Sequence, residues 1–150
     1  MGFRAQRDTV FLERNRRLRR LHPEIVERTQ ATIASQGGEV WRDPKTDLLH
    51  LNNELVICLV LARSEKSANG MQRWRILFDP AHYAPDITVA IRLDASNERE
   101  LDYYLLPLLD LPQQELNVNE RSIASYACFR FDNLDFFYGL SHRERVQRHA

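Results

Sequence analysis

The chain has 150 residues, of which 43% are hydrophobic and 28% are charged, a size and composition typical of one globular domain that exclude wholesale disorder. No apolar run reaches the roughly 18 residues that a membrane span requires, and the N-terminus lacks the apolar segment of a secretory signal. We therefore expect a cytoplasmic protein with no membrane partner.

The charge of the chain is distributed unevenly. The formal net charge is +0, yet residues 1–22 contain seven arginines and two carboxylates, so the remaining residues carry the balancing negative charge. An asymmetry of this kind indicates an anionic partner for the basic end.

The N-terminal segment predicts a basic helix that is capped at Asp8 or Thr9 and runs to about Leu21. We interpret residues 1–22 as a basic helical arm and residues 23–150 as a single α+β domain. Pro23 restarts the chain as a second helix over residues 24–35, which ends at the glycine pair 37–38.

The centre of the chain predicts an antiparallel β-meander of about five strands. Short strands are expected at 39–42 and 48–51, and Asn52 and Asn53 suit the tight turn that follows. The aliphatic run Leu55–Ala62 is expected in the middle of the sheet, covered on both faces. After a polar loop at 64–71, alternating patterns predict strands at 73–78 and 86–94.

The last third of the chain predicts short helices. They are expected at 98–106, from Asn119 onwards, from residue 132 or 133 to Gly139, and from Ser141, with residues 107–118 irregular. The fold class is therefore α+β, an antiparallel β-meander of about five strands backed by N- and C-terminal helices.

Arginine is concentrated in the predicted first helix, and its planar guanidinium group suits the binding of phosphate. Neutralising phosphates would release counterions and relieve the repulsion among the cations of the first helix. On a predicted strand, two further arginines alternate with Trp74, a basic and aromatic surface that could stack bases or hold a backbone. The predicted nucleic-acid-binding residues are Arg14, Arg16, Arg17, Arg19, Arg20, Arg73 and Arg75.

Two other interpretations of these residues stay open. The helix could dock on acids of its own body, namely Asp94, Glu98, Glu100, Asp102 and Asp110. Alternatively, the apolar stripe of Phe11, Leu18 and Leu21 is narrow for a monomer's core and suits a partner helix, which predicts a protein–protein module or a homodimer.

A metal-dependent nuclease is a further hypothesis, because Asp79 and Asp86 flank a loop that contains His82. Against it, the sequence has no Glu-x-Lys strand element, no metal-ligand spacing and no phosphate-cradling glycine loop. We therefore predict no catalytic residue, no metal and no cofactor. Cys58 and Cys128 lie in apolar stretches and are predicted to be buried thiols.

Four segments give the chain a resemblance to a known group of proteins: 73–76 (RWRI), 85–90 (PDITVA), 101–107 (LDYYLLP) and 129–135 (FRFDNLD). In these segments it resembles small uncharacterised bacterial proteins associated with site-specific recombinases and plasmid-partition proteins on mobile elements. The resemblance covers residues 39–140 and carries no catalytic residue, since the serine-recombinase nucleophile motif is not present. It implies an accessory role in association with DNA.

The leading hypothesis is therefore a non-enzymatic accessory protein that contacts DNA, or a DNA-bound protein, through its arginine-rich N-terminal helix. Such binding is expected to be mainly to phosphate, hence dependent on salt and weakly selective for sequence.

Overall fold

A computed structural model of the protein describes residues 3–77, 85–107 and 115–137, with the side chains of 3–10 and of Pro107 excepted. Two α-helices open the chain, α1 (Phe3–Leu21) and α2 (Pro23–Gly37). The strands that follow in the described ranges are β1 (Val40–Arg42), β2 (Leu49–Leu51), β3 (Leu55–Ala62), β4 (Ser64–Lys66), β5 (Gln72–Leu77), β6 (Ile87–Leu93), β7 (Glu100–Pro107), β8 (Glu115–Asn119) and β9 (Arg130–Phe131), the last preceded by a 3₁₀ helix, Ile123–Phe129.

The strands form two sheets. The larger has six strands in the order β1-β2-β3-β6-β7-β9, and the smaller has three in the order β4-β5-β8. Strands β3 and β6 are paired in parallel, and every other described pair is antiparallel. The chain passes from β3 to β6 through β4 and β5, so the smaller sheet is built partly from this crossover.

Two hydrophobic cores separate three layers. One core joins the larger sheet to the helices and includes Leu18 of α1 with Ile25 and Ile33 of α2. The other joins the two sheets and includes Val60, Trp74 and Tyr104. The α+β class predicted from the sequence is confirmed.

Strand β3 lies in the middle of the larger sheet, as its aliphatic sequence predicts. Ile57, Leu59 and Leu61 belong to the core on the helix side, whereas Val60 and Ala62 belong to the core between the sheets. Burial on both faces explains why this strand has no alternation of polar and apolar residues.

The turns around β2 follow from residues that tolerate a positive φ. Asn52 (φ 54°) and Asn53 (φ 57°) form the predicted tight turn between β2 and β3. The Asn52 side chain also joins this turn to the end of α2: its Nδ2 donates to the Gly37 carbonyl at 2.7 Å, and its Oδ1 accepts from the Glu39 amide at 2.9 Å. At Gly38 (φ 122°), a Cβ would lie within 3 Å of the Asn52 side-chain amide, so this position requires glycine.

The helix predicted at 98–106 is wrong, because this segment is strand β7. It is paired with β6 along its length, from Ile87↔Pro107 to Leu93↔Glu100. Asn97, predicted as a helix cap, instead has φ 59° in the β6–β7 turn and accepts a hydrogen bond from the Ser64 amide. The two tyrosines of the segment favour a strand, and pairing with β6 outweighs the helix propensity of its leucines.

Other predicted elements also need correction. The antiparallel meander is interrupted by the parallel β3–β6 pair, and the loop predicted at 64–71 contains β4. Residues 115–118 of the segment predicted as irregular belong to β8. The helix predicted from Asn119 is the 3₁₀ helix Ile123–Phe129, preceded by a turn in which the Asn119 side chain accepts from two amides. The helix predicted to end at Gly139 and the one predicted from Ser141 extend into, or lie in, the residues after 137, outside the described ranges.

A buried carboxylate joins three strands between the sheets. Asp102 is fully buried and accepts two hydrogen bonds from Arg92, at 2.8 and 2.6 Å, and one from Arg130 at 2.6 Å. The Arg92 guanidinium also lies 4.6 Å from the ring centroid of Trp74. Each charge of this cluster therefore has a partner, which is the condition for burying it.

We predict that Asp102→Ala lowers the free energy of unfolding by about 3–5 kcal/mol, because it leaves the buried Arg92 without its counterion. Urea denaturation measures the change. The control is Asp132→Ala, which removes an 81% exposed carboxylate 3.2 Å from Arg130 and should cost no more than about 1 kcal/mol. Equal losses in the two variants would contradict the role given to Asp102.

Candidate nucleic-acid interface

Helix α1 is fixed to the body of the protein through its C-terminal half. Leu18 is buried in the core on the helix side, and the buried Asn15 Nδ2 donates to the Leu77 carbonyl of β5 at 2.8 Å. Strand β4 is paired with β5 only as far as Trp74, so Leu77 lies beyond the paired stretch on that side. Asn15 therefore satisfies a backbone group that the short strand β4 leaves open.

Two of the predicted DNA-binding arginines are held by the protein itself. Arg19 donates to the Leu59 carbonyl of β3 at 3.0 Å, beyond the point where β2 ends its pairing with β3, and lies 3.4 Å from Asp47. Arg14 forms an ion pair with Glu65 of β4 at 2.5 Å. Their side chains are only 10% and 22% exposed, so both contribute to positioning α1.

Three other arginines of α1 remain at the surface. Arg16, Arg17 and Arg20 are exposed, and none of them has a carboxylate partner among the described residues. Arg16 donates to the Lys45 backbone carbonyl at 3.3 Å, a contact that leaves its charge uncompensated. The predicted cluster is thus divided between a docked face and a solvent face.

The β1–β2 turn brings two further cations to this solvent face. Arg42, the last residue of β1, and Lys45, in the turn, are both exposed and line the same hollow as Arg16 and Arg20. Neither residue is among those predicted from the sequence. They lie more than twenty positions from the helix, and only the packing of α1 beside the β1–β2 turn brings them to it. We call Arg16, Arg17, Arg20, Arg42 and Lys45 the basic surface.

The basic surface is concave. A hollow of about 380 Å³ lies between α1 and the β1–β2 turn, with Asp47 and Glu27 as its acidic lining residues. A neighbouring, more open hollow of about 440 Å³ is lined by Arg16, Arg17 and Arg20 with Glu13 and Leu21. Cations outnumber carboxylates in both, so the basic surface carries a net positive charge suited to an extended anion.

Arg73 and Arg75 lie on strand β5 and are paired with carboxylates. Arg75 Nε donates to Glu115 at 2.7 Å, and this hydrogen bond raises the pKa of Arg75. Arg73 Nε is 3.9 Å from Glu65, the carboxylate that also pairs with Arg14. Trp74 between them is buried in the core, so the structure gives no exposed aromatic surface at this position.

The acids that hold α1 differ from those predicted for self-docking. Glu65 and Asp47 contact the helix, whereas Glu100 pairs with Arg28 and Asp102 with Arg92 and Arg130. The Asp94 side chain accepts hydrogen bonds within its own turn, which lowers the pKa of its carboxyl. Asp110 lies outside the described residues.

The predicted partner-binding stripe is divided in the same way as the arginines. Leu18 is taken into the core, Phe11 is half-buried, and Leu21 is 57% exposed at the end of α1. Of the three, Leu21 is the side chain that a partner could reach most fully.

Of the three residues of the nuclease hypothesis, only Asp86 lies within the described ranges. The Asp86 side chain accepts a hydrogen bond from the Val56 amide at 2.7 Å, which ties together the first residues of the parallel pair. Asp79 and His82 lie outside the described residues. Within the described ranges, no cluster of three or more His, Cys, Asp or Glu side chains could hold a metal ion.

The two cysteines are free and differ in exposure. Cys58 packs against the core between the sheets, and its burial raises the pKa of the thiol. Cys128, predicted to be buried, is exposed on the 3₁₀ helix.

None of the helices in the described ranges is long and apolar enough to cross a membrane. Comparison with known proteins identified no matching family model, no matching curated protein and no matching solved structure. The resemblance to proteins of mobile elements therefore stays a prediction from the four segments that carry it.

The junction of α1 and α2 contains a largely buried histidine, His22. The His22 side chain is only 12% exposed, and its Nε2 is buried without a hydrogen-bond partner among the described residues. Burial lowers the pKa of His22, and the positive charge of Arg63 lowers it further, against a weaker opposing effect of Glu24. Protonation at this position therefore opposes the folded arrangement of the two helices.

We predict that the protein loses stability as the pH falls below the ordinary histidine pKa of 6.5, because the unfolded chain then binds a proton that folded His22 resists. His22→Gln should flatten the dependence of the free energy of unfolding on pH between about pH 7 and pH 5. The unsubstituted protein, measured over the same pH range, is the reference. A slope unchanged by His22→Gln would show that another group causes it.

Proposed function

We propose that this protein is a non-enzymatic accessory protein that binds the phosphate backbone of a nucleic acid, with DNA as the expected partner, through the basic surface. The observation that carries the proposal is that Arg16, Arg17 and Arg20 are exposed without carboxylate partners on a helix whose other face is docked.

A docked helix supports phosphate binding better than a free arm. Because Asn15, Leu18 and Arg19 already fix α1, the exposed arginines need little further ordering when a ligand binds. Guanidinium groups offer planar, bidentate donors that match phosphate oxygens, and each neutralised phosphate releases counterions. Affinity is then set mainly by charge and by salt.

The basic surface keeps three of the seven predicted arginines and adds Arg42 and Lys45. Arg14 and Arg19 are assigned a positioning role, since their guanidinium groups contact Glu65, Asp47 and the backbone. Contacts to phosphate carry no sequence information directly, so weak sequence selectivity is expected. A role beside recombination or partition proteins, or contact with a DNA-bound protein, is supported by the sequence resemblance alone.

The test is a fluorescence anisotropy titration of labelled DNA at several salt concentrations with the variant Arg16→Gln/Arg17→Gln/Arg20→Gln. If each arginine contacts one phosphate, the slope of log K against log salt should fall by about 2–3, and affinity near 0.1 M salt should fall roughly a hundredfold or more.

The matched control is Arg28→Gln/Arg99→Gln/Arg121→Gln, which changes the net charge equally at residues outside the basic surface. Its salt slope should stay within about 1 of the unsubstituted protein, because long-range effects are largely screened at this ionic strength. Equal losses of DNA affinity in the two triple variants would show that overall charge, and not the basic surface, determines binding. No binding of DNA by the unsubstituted protein would reject the proposal.

A homodimer is the second candidate function, favoured by the exposure of Leu21 beside the arginines of the more open hollow. Sedimentation velocity distinguishes a homodimer from a monomer that binds nucleic acid. A dimer that is lost in Leu21→Ser while DNA affinity is retained would support it, and a monomer at all concentrations would reject it.

A further inference from the structure

An exposed tryptophan, Trp41, lies on the edge strand of the larger sheet, one residue before Arg42 of the basic surface. Trp41 occupies the middle of β1, is 47% exposed, and precedes Arg42 in the chain. Single exposed apolar side chains are common on protein surfaces, so the exposure of Trp41 alone indicates nothing. Its setting is what distinguishes it.

The Trp41 ring is held in place on one face and one edge. Its indole stacks on His50 of β2, with the ring centroids 4.0 Å apart and the planes 6° from parallel. Its Nε1 donates to the Asn53 side chain at 3.2 Å. Trp41 is 47% exposed, and among the described residues no ring stacks on the face opposite to His50, so we take that face of the indole as its solvent side.

Trp41 and Arg42 lie on opposite faces of the edge strand β1. Successive residues of a strand project to opposite faces, so Trp41 lies on the side of His50, and Arg42 on the side of α1, where it lines the hollow. β1 is an outer strand of its sheet, so a flexible chain passing around it can touch both residues. The two side chains belong to consecutive residues, about 3.8 Å apart at their Cα atoms.

We propose that the nucleic acid bound here is single-stranded, with one base stacked on the open face of Trp41 and adjacent phosphates on Arg42, Lys45 and the arginines of α1. This inference rests on the proposed function and specifies its ligand. Base stacking on an aromatic ring tolerates any base, and a cationic groove beside such rings is the usual arrangement for binding single strands. A duplex keeps its bases stacked inside and cannot place one on Trp41 without flipping it out.

The experiment compares a single-stranded oligothymidylate of about 12 nucleotides, within the site sizes of single-strand binders, with a duplex of equal length. Trp41→Leu should weaken binding of the single strand about 5- to 100-fold, as the loss of one stacked base predicts, and leave duplex binding unchanged. Trp41→Phe keeps an aromatic ring and should recover most of the affinity. Urea denaturation of each variant checks that the fold is retained.

A second measurement needs no substitution. The chain has two tryptophans, of which Trp74 is buried and Trp41 exposed, so acrylamide should quench mainly the fluorescence of Trp41. Saturation with the single strand should protect that fluorescence from acrylamide, and the duplex should protect it less.

The outcomes separate this inference from the proposed function. If the arginine triple variant loses binding but Trp41→Leu alters both ligands equally or neither, the basic surface stands and the stacking site is rejected. If the protein binds neither ligand, both proposals fall. Self-association that Trp41→Leu abolishes, without binding of the single strand, would assign Trp41 to a protein contact and overturn this inference.

Discussion

The Asn15 side chain donates a hydrogen bond to the Leu77 carbonyl inside the protein, and Arg19 donates another to the Leu59 carbonyl. Both carbonyls lie where a short strand, β4 or β2, has ended, so that the neighbouring strand is unpaired on that side. A buried carbonyl without a hydrogen-bond partner costs about 1–3 kcal/mol of stability. Asn15 and Arg19 of α1 avoid this cost by donating to these two carbonyls. The position of α1, and of everything on its outer face, depends on these two contacts and on the buried Leu18 between them.

That position decides which cations are available. The face of α1 that meets the sheets uses Arg14 and Arg19 in contacts with Glu65, Asp47 and a backbone carbonyl. Its solvent face carries Arg16, Arg17 and Arg20, beside which the β1–β2 turn adds Arg42 and Lys45. The two strands that this turn connects carry Trp41, on the edge strand β1, and its stacked partner His50, on β2. A local surplus of positive charge thus persists in a chain whose net charge is +0.

Local pattern predicted much of the fold and less of the candidate site. The aliphatic run of β3, the alternation of β6 and the glycine pair after α2 are determined within a few residues, and those elements form as expected. The local sequence of β7 predicts a helix, whereas the observed strand depends on pairing with β6. The parallel β3–β6 pair depends on a crossover that no short segment encodes. Likewise, the concentration of arginine on α1 is visible in the sequence, but its division into docked and exposed side chains is not. Arg42 and Lys45 reach the site only through packing of distant segments.

Arginines next to one another on α1 thus have different roles in the structure. Nuclear magnetic resonance of the arginine guanidinium N–H groups, during titration with a single-stranded oligonucleotide, tests it directly. We expect the signals of Arg16, Arg17 and Arg20 to shift as phosphate binds. Those of Arg14 and Arg19 should keep their positions, because these side chains remain bound to Glu65, Asp47 and Leu59. Shifts of equal size in all five arginines, or shifts confined to Arg14 and Arg19, would contradict it.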